Sequence, residues 1–266
     1  MHAYCALLLA TLSLSACRPD TPAPSAPQSL TPGHNVLLVG NSLTYTNDLP
    51  GMLKAVAAAD GYTLQVRSLA LADHALIDYL LDGSLPPIIA AGHWEYVVTQ
   101  QGPTTLPICR DTMVIAVKET DRLARLVGAH SVVMMSWPTT ARPGDFAAVH
   151  ASAEIAAVTA NAAFAPVGDA WQSVMQSDPF TSPYGPDGYH PSPAGTYLAA
   201  LVLYEQVTGR DARSLVPDAS LAGVSGLSRE TVIRFQAAAH TANVNAFAIA
   251  VPAWVPATPP VPGITC

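Results

Sequence analysis

Short apolar runs and longer helical stretches alternate along this chain, and this alternation constrains its fold more than any other feature. Val36–Val39 is a continuous apolar run, typical of a strand that is buried on both faces. The segment from Asp48 to Asp60 follows with helical spacing, beginning at an N-cap aspartate and ending before Gly61. Repeated strand–helix units predict an α/β fold, a three-layer α/β/α sandwich with a central parallel sheet.

The later units repeat this pattern. Strands are predicted at 62–67, 94–100, 131–136 and 165–167, and helices over 73–82, 107–127, 145–164, 192–208 and 228–244. Asp73 is the predicted N-cap of the first of these helices, and Ser192 with Pro193 begins the fourth. The proline-rich end from Val251 is expected to be irregular.

Composition bounds the class of protein. The 266 residues suffice for one full-sized domain, and since half are apolar and only 12% are charged, a sizeable core is expected. The net charge of -7 and the twelve Lys and Arg residues, which form no basic run, argue against a nucleic-acid-binding protein.

The N-terminal 17 residues are interpreted as an export signal. The short apolar run Ala6–Ala16 ends in Leu-Ser-Ala before Cys17, which resembles the lipobox of bacterial lipoproteins, with Cys17 as the lipidated residue. Since no Lys or Arg precedes the run, an ordinary signal peptide remains an alternative. Residues 18–33 then read as a Pro-rich tether and 34–266 as the folded domain, with 210–266 a C-terminal extension. These features predict an exported protein of the bacterial cell envelope, in contact with the membrane only through the lipid.

The four cysteines fit an oxidising compartment. With Cys5 in the signal and Cys17 lipidated, Cys109 and Cys266 remain, and whether they form a disulfide is not decided by sequence. No Cys or His spacing resembles a zinc site, so neither a metal nor another cofactor is expected.

The first candidate catalytic residue is Ser42. It lies in the segment Gly-Asn-Ser-Leu-Thr that directly follows the first predicted strand. Ligands of open parallel sheets bind at the carboxyl ends of the strands, which is where this hydroxyl is expected. Alternatively, Ser42 only shapes a turn or caps a helix, as many serines after strands do.

The second candidate group is Asp187 and His190, in a Gly- and Pro-rich loop just before the helix that begins at Pro193. A serine hydroxyl is a weak nucleophile until a base takes its proton, and that imidazole must be held in one tautomer. An Asp three residues before a His in a turn reaches its Nδ1 while Nε2 faces the serine. The other seven histidines are interpreted as structural.

Together these segments resemble the SGNH (GDSL-type) hydrolases. Gly-Asn-Ser-Leu-Thr resembles their first block, usually spelled Gly-Asp-Ser-Leu, and Asp-Gly-Tyr-His-Pro resembles their last block. The resemblance covers residues 35–209 of the chain. It implies a flavodoxin-like sandwich and ester hydrolysis through an acyl-enzyme formed on Ser42, with His190 and Asp187 completing the triad and without metal.

The two middle blocks of the family are poorly matched. The oxyanion hole that the family implies would take the N–H of Ser42, a backbone N–H of Ala72 or Asp73 in place of the usual glycine, and an amide of Gln100 or Gln101 in place of the usual asparagine. Alternatively, both glutamines are simply polar residues at a strand end.

The residues around the predicted site bear on the substrate and on the functional class of the protein. Asn41 and Trp137, which follow two predicted strands, are candidate substrate-lining residues, although a tryptophan there equally often packs. The expected substrate is a short-acyl ester on a carbohydrate or small molecule. The alternative is a catalytically impaired surface lipoprotein that binds carbohydrate. An α/β-hydrolase is disfavoured because no Gly-x-Ser-x-Gly elbow occurs. No feature of the sequence indicates the oligomeric state.

Overall fold

Five parallel strands form the centre of the protein in a computed structural model that describes residues 34–178, 180–217 and 227–246. The strands are β1 (His34–Gly40), β2 (Leu64–Ala70), β3 (Tyr96–Gln100), β4 (His130–Met134) and β5 (Ala163–Ala165). They lie in the order β2-β1-β3-β4-β5. The predicted central parallel sheet is confirmed. The predicted signal, tether and lipid-bearing cysteine lie outside the described residues.

Helices cover both faces of this sheet. In chain order they are α1 (Ser42–Tyr45), α2 (Leu49–Ala59), α3 (Leu76–Leu81), α4 (Leu85–Ala91), α5 (Pro107–Leu126), α6 (Phe146–Ala160), α7 (Val167–Ser177), α8 (Pro193–Thr208) and α9 (Arg229–Val244). On one face α5 packs against α3, α4 and α6, and on the other α8 packs against α2, α7 and α9. The predicted three-layer α/β/α architecture is therefore confirmed.

The strand order places a topological switch at β1. This strand pairs with β2 on one side and β3 on the other, so that Val39 lies beside both Leu69 and Thr99. Ligands of open α/β sheets bind at the carboxyl ends of the strands where the winding direction reverses. Ser42 directly follows β1, and Gln100 is the last residue of β3, so both lie at this point.

Several predicted boundaries are wrong in one region. The helix predicted over 145–164 ends as α6 at Ala160, because Asn161 adopts the left-handed conformation and Ala162 N–H bonds Ala157 O at 2.9 Å. Residues 163–165 then pair with β4, and α7, which the apolar spacing did not reveal, begins at Val167. The alanine-rich sequence continues a helical pattern past the residue that ends the helix.

The predicted N-cap role of Asp73 is also wrong. α3 begins at Leu76 after Ala75, whose N–H bonds the Asp78 carboxylate at 2.9 Å. Asp73 lies three residues before this helix, with a φ of 58°, in a turn after β2. The aspartate that serves the helix is therefore the one inside its first turn.

Cys109 is buried in α5 and is disulfide-bonded. The other three cysteines, Cys266 among them, lie outside the described residues. Over the ranges that the structure describes, no helix is both long enough and apolar enough to cross a membrane.

Candidate active site

The serine, histidine and aspartate that the sequence singles out meet at the carboxyl end of β1. His190 Nε2 lies 2.9 Å from Ser42 Oγ, and His190 Nδ1 lies 2.6 Å from Asp187 Oδ2. The second carboxylate oxygen, Asp187 Oδ1, accepts the backbone N–H groups of Tyr189 and His190, each at 3.0 Å. One aspartate therefore orients both the imidazole ring and the backbone that carries it.

The charge state of this aspartate fixes the tautomer of the histidine. Its hydrogen bond with His190, supported by the N–H of Tyr189, lowers the pKa of Asp187 to about 2. An ionised carboxylate is an acceptor only, so the neutral imidazole carries its proton on Nδ1 and offers the Nε2 lone pair to Ser42. The arrangement is open, since 52% of the Asp187 side chain and 36% of the His190 side chain are exposed.

The turn that carries Ser42 is built around Asn41 and Gly40. Asn41 caps α1, since its side chain accepts the N–H of Leu43 at 3.2 Å and donates to His74 O at 3.2 Å. Asn41 is buried and makes both of these bonds, and its substrate-lining role stays a prediction. A Cβ on Gly40 would lie 2.2 Å from Thr44 Oγ1, so only glycine fits there.

The two glutamines after β3 differ in what they bond. Gln100 Oε1 accepts from Asn41 N–H at 3.1 Å and from Thr44 Oγ1 at 2.8 Å, which ties β3 to the Ser42 turn. Gln100 Nε2 is buried and has no acceptor in the described part of the chain. Gln101, in contrast, donates to Thr104 Oγ1 and accepts from Leu76 N–H. Of the two amides, that of Gln100 is the one with an unused donor.

The turn after β2 lies beside the serine turn because one buried hydroxyl joins them. Tyr79 OH donates to Gly40 O at 2.8 Å and accepts the N–H of Leu71 at 2.7 Å. Ala72 and Asp73 follow as exposed residues. Among the described residues, no acceptor bonds the N–H of Ser42, Ala72 or Asp73. These N–H groups are therefore available to an anion, although sequence alone did not show what holds them in place.

Trp137 does not line the site. It is completely buried, and its ring stacks on Trp171 with centroids 3.6 Å apart. Its indole N–H donates to Tyr189 O at 2.9 Å. The substrate-lining prediction for Trp137 is therefore wrong, because the ring packs beneath the loop that carries the histidine. No sequence signal distinguishes a tryptophan beneath such a loop from one that faces the cleft.

A cavity of about 720 Å³ opens beside the histidine. Its walls come from the turn after α1 and from the loop before α8, and include Thr46, Asn47, Ser182, Asp187 and His190. Hydroxyl-bearing side chains alternate with prolines along the walls, and most of the exposed wall surface is apolar, although no long aliphatic side chain contributes.

One group of possible metal ligands occurs in the described ranges, at the C-terminal end of α8. Ligand atoms of Glu205, Asp211 and His240 lie within 4.8 Å of one another. Arg213 donates to both oxygens of Asp211, and the Glu205 oxygens accept from Ala212 N–H, His240 and Asn243. These internal bonds already use the ligand atoms, so the group reads as a hydrogen-bond network.

Comparison with solved structures gives the relatives of this fold, whereas no protein-family model and no curated protein matches the sequence. A DUF4886 family protein from Bacteroides uniformis is similar at a TM-score of 0.66 and 17% identity, over 80% of this chain and 95% of that one. A protein from Slackia heliotrinireducens, described as a candidate SGNH hydrolase, is similar at 0.54 and 29% identity, over 65% and 98%.

An acetyl xylan esterase from Geobacillus stearothermophilus is similar at a TM-score of 0.51 and 14% identity, over 66% of this chain and 95% of that one. The fold shared with these hydrolases includes the five-stranded parallel sheet flanked by helices. The resemblance in the first and last sequence blocks and the likeness in structure agree. The chain therefore has an SGNH hydrolase-like fold.

Proposed function

We propose that this protein is a serine ester hydrolase in which Ser42 is the nucleophile, His190 the general base and Asp187 the residue that orients the base. The observation that carries the proposal is the continuous hydrogen-bond chain from Ser42 Oγ through both nitrogens of His190 to Asp187. A hydroxyl, a base and an orienting carboxylate in this order make up the nucleophile-activating arrangement of serine hydrolases.

In the proposed reaction His190 Nε2 takes the proton of Ser42 as Oγ attacks the ester carbonyl carbon. The tetrahedral intermediate collapses when the same nitrogen returns the proton to the leaving alcohol, which breaks the ester C–O bond. Water then attacks the acyl-enzyme by the reverse sequence, releasing the carboxylic acid and restoring Ser42. The ionised Asp187 stabilises the imidazolium formed in both halves.

The negative oxygen of the intermediate needs preorganised donors. The N–H of Ser42 and the N–H groups of Ala72 and Asp73 supply candidates without intramolecular acceptors. Gln100 is a further candidate, since its amide nitrogen is the unused donor beside the serine turn. That nitrogen is shielded from solvent in this structure, so its contact with an oxyanion requires a change in the Gln100 side-chain torsion.

For the substrate, we propose a short-acyl ester whose alcohol is a carbohydrate or another polar small molecule. His190 protonates the leaving alcohol, so the alcohol lies on the histidine side, where the cavity has hydroxyl-bearing walls. The exposed triad suits a bulky alcohol that remains partly in solvent. One structural neighbour is named as an acetyl xylan esterase, a chemistry of this type.

We further propose that the protein acts in the bacterial cell envelope after export, anchored by lipid on Cys17. The lipobox-like Leu-Ser-Ala-Cys segment and the Pro-rich tether support this proposal. Metabolic labelling with an alkyne fatty acid tests it, with Cys17→Ser as the variant that should lose both the label and the membrane fraction.

The decisive experiment for the activity is Ser42→Ala. This variant should lose turnover of an aryl acetate and labelling by a fluorophosphonate probe, and should keep its circular dichroism spectrum. Ser173→Ala, on the exposed side of α7, is the matched control and should keep both. Undiminished turnover in Ser42→Ala refutes the assignment. An unlabelled wild-type protein that binds glycans instead favours the carbohydrate-binding alternative.

A further inference from the structure

The segment 137–140, which follows β4, bonds the loop that carries the histidine, and we call this segment the β4 clamp. The indole N–H of Trp137 donates to Tyr189 O at 2.9 Å. The backbone N–H of Thr140 donates to Gly188 O at 2.8 Å. These two carbonyls belong to the two residues between the aspartate and the histidine of the triad. The clamp therefore holds the short connection that sets where the imidazole stands.

The tryptophan of the clamp packs against a layer of two further aromatic rings. Trp137 stacks on Trp171 at 3.6 Å with the ring planes 14° apart, and Tyr184 meets Trp171 edge-on at 4.9 Å. Tyr184 OH returns to the clamp by donating to Pro138 O at 2.6 Å. Burial raises the pKa of Tyr184 to about 12, so this hydroxyl remains a donor at neutral pH. The aromatic layer and the loop thus form one connected unit.

Close packing at Gly188 allows the loop little room to shift toward the clamp. A Cβ on Gly188 would lie 2.2 Å from Thr140 Oγ1, and the residue has a φ of 68°. On the other side, Asp187 Oδ1 already accepts the N–H groups of Tyr189 and His190. The peptide groups that precede the histidine are thus held by the clamp through their carbonyls and by the aspartate through their N–H groups.

The two stacked indoles differ in one respect that matters for function. Both are completely buried, but Trp137 Nε1 has an acceptor on the catalytic loop, whereas Trp171 Nε1 has none in the described part of the chain. If both rings served only to fill the core, replacing either indole by a phenyl ring would change kcat to the same extent. The one bond made to the loop singles out Trp137.

We propose that Trp137 is a positioning residue whose indole N–H, by holding Tyr189 O, fixes His190 Nε2 within hydrogen-bond distance of Ser42 Oγ. The inference rests on the proposed serine ester hydrolase function. It concerns a residue that touches neither the substrate nor the reacting atoms. Displacements of about 1 Å in a catalytic group can cost on the order of 10²-fold in rate, so one such bond has a measurable effect.

The test compares Trp137→Phe with Trp171→Phe. Each removes a buried indole and leaves a phenyl ring, so both lose similar packing, but only the first removes a bond to the loop. In Trp137→Phe, kcat for an aryl acetate and the rate of fluorophosphonate inactivation should fall roughly 10- to 100-fold, with KM nearly unchanged. In Trp171→Phe both should stay within a few-fold of wild type.

A spectroscopic readout separates positioning from general damage. The downfield NMR resonance of the His190 Nδ1 proton, bonded to Asp187, should shift or broaden in Trp137→Phe and persist in Trp171→Phe. Tyr184→Phe, which removes only the hydroxyl on Pro138 O, covers the case in which Trp137→Phe does not fold, and should also lower kcat.

The positioning role is overturned if Trp137→Phe and Trp171→Phe have equal kcat and equal Nδ1 resonances. Where Trp137→Phe does not fold, an unchanged kcat in Tyr184→Phe overturns it. Failure of the proposed function looks different, because Ser42→Ala would then keep wild-type turnover. Rate loss in Ser42→Ala together with unaffected Trp137→Phe leaves the hydrolase assignment standing and rejects the clamp. Each result therefore counts against one proposal.

Discussion

Replacing Tyr79 by Phe tests whether one buried hydroxyl holds the serine turn against the turn after β2. Tyr79 is completely buried, and its hydroxyl bonds Gly40 O at 2.8 Å and Leu71 N–H at 2.7 Å. Burial raises the pKa of the Tyr79 hydroxyl, which therefore stays protonated and keeps its donor role at neutral pH. Phe keeps the ring and removes both bonds.

The loss of folding stability in Tyr79→Phe depends on how well water can replace each lost hydrogen bond. The bond to Gly40 O is buried, and an unsatisfied buried acceptor costs about 1–3 kcal/mol. The Leu71 N–H is only partly buried, so water can replace its partner, and that loss adds roughly 0.5–1 kcal/mol. The two losses together, about 1.5–4 kcal/mol, lower the melting temperature of a domain this size by roughly 3–16 °C. Since Gly40 precedes the serine by two residues, kcat should also fall, by up to roughly 10²-fold.

The assay is a thermal melt followed by circular dichroism, together with kcat for an aryl acetate. The control is Tyr45→Phe, since Tyr45 is 44% exposed and its hydroxyl bonds no other residue among those described. A Tyr79→Phe protein with the melting temperature and kcat of Tyr45→Phe would refute the reasoning. It would mean that the turns after β1 and β2 hold their places without the hydroxyl.

Three further predictions follow from the geometry. Asp187→Asn should lower kcat on the order of 10⁴-fold because the imidazole loses its orienting acceptor, and a loss under tenfold would contradict this role. Gln100→Met should lower kcat roughly 10²- to 10³-fold with a folded circular dichroism spectrum, whereas wild-type kcat would remove it from the site. The bond with Asp169 raises the pKa of His150 in the folded state, so its stabilisation is full below the unfolded pKa of about 6.5 and is lost as pH rises through the folded value. Urea unfolding midpoints of wild type and His150→Gln should therefore converge with rising pH, and a constant difference would exclude this linkage.

Much of the fold was predictable because its signals are local. The apolar run of β1 and the caps of α8 were recognised, since Ser192 accepts the N–H of Gly195 and Gly209 ends the helix in the left-handed conformation. The predictions of helix ends and caps failed where a nearby residue of the same segment set the boundary. Asn161 ends α6 within an alanine-rich pattern, and Asp78 rather than Asp73 bonds the start of α3.

The contact between Asp187 and His190 follows from sequence alone. The two lie three residues apart in one turn, so a 2.6 Å bond between them needs only local backbone geometry. Sequence also indicated that Ser42 would lie at the carboxyl end of a buried strand, because an apolar run precedes it directly.

The relative positions of the proposed catalytic residues depend on tertiary packing. Ser42 and His190 are 148 residues apart, and their 2.9 Å contact depends on how the loop before α8 packs over β4. The buried state of Trp137, and the choice of Gln100 over Gln101 as the amide with an unused donor, likewise come from partners distant in the chain. Local patterns specify which side chains can do chemistry, whereas their positions depend on long-range packing and hydrogen bonds that no local pattern encodes.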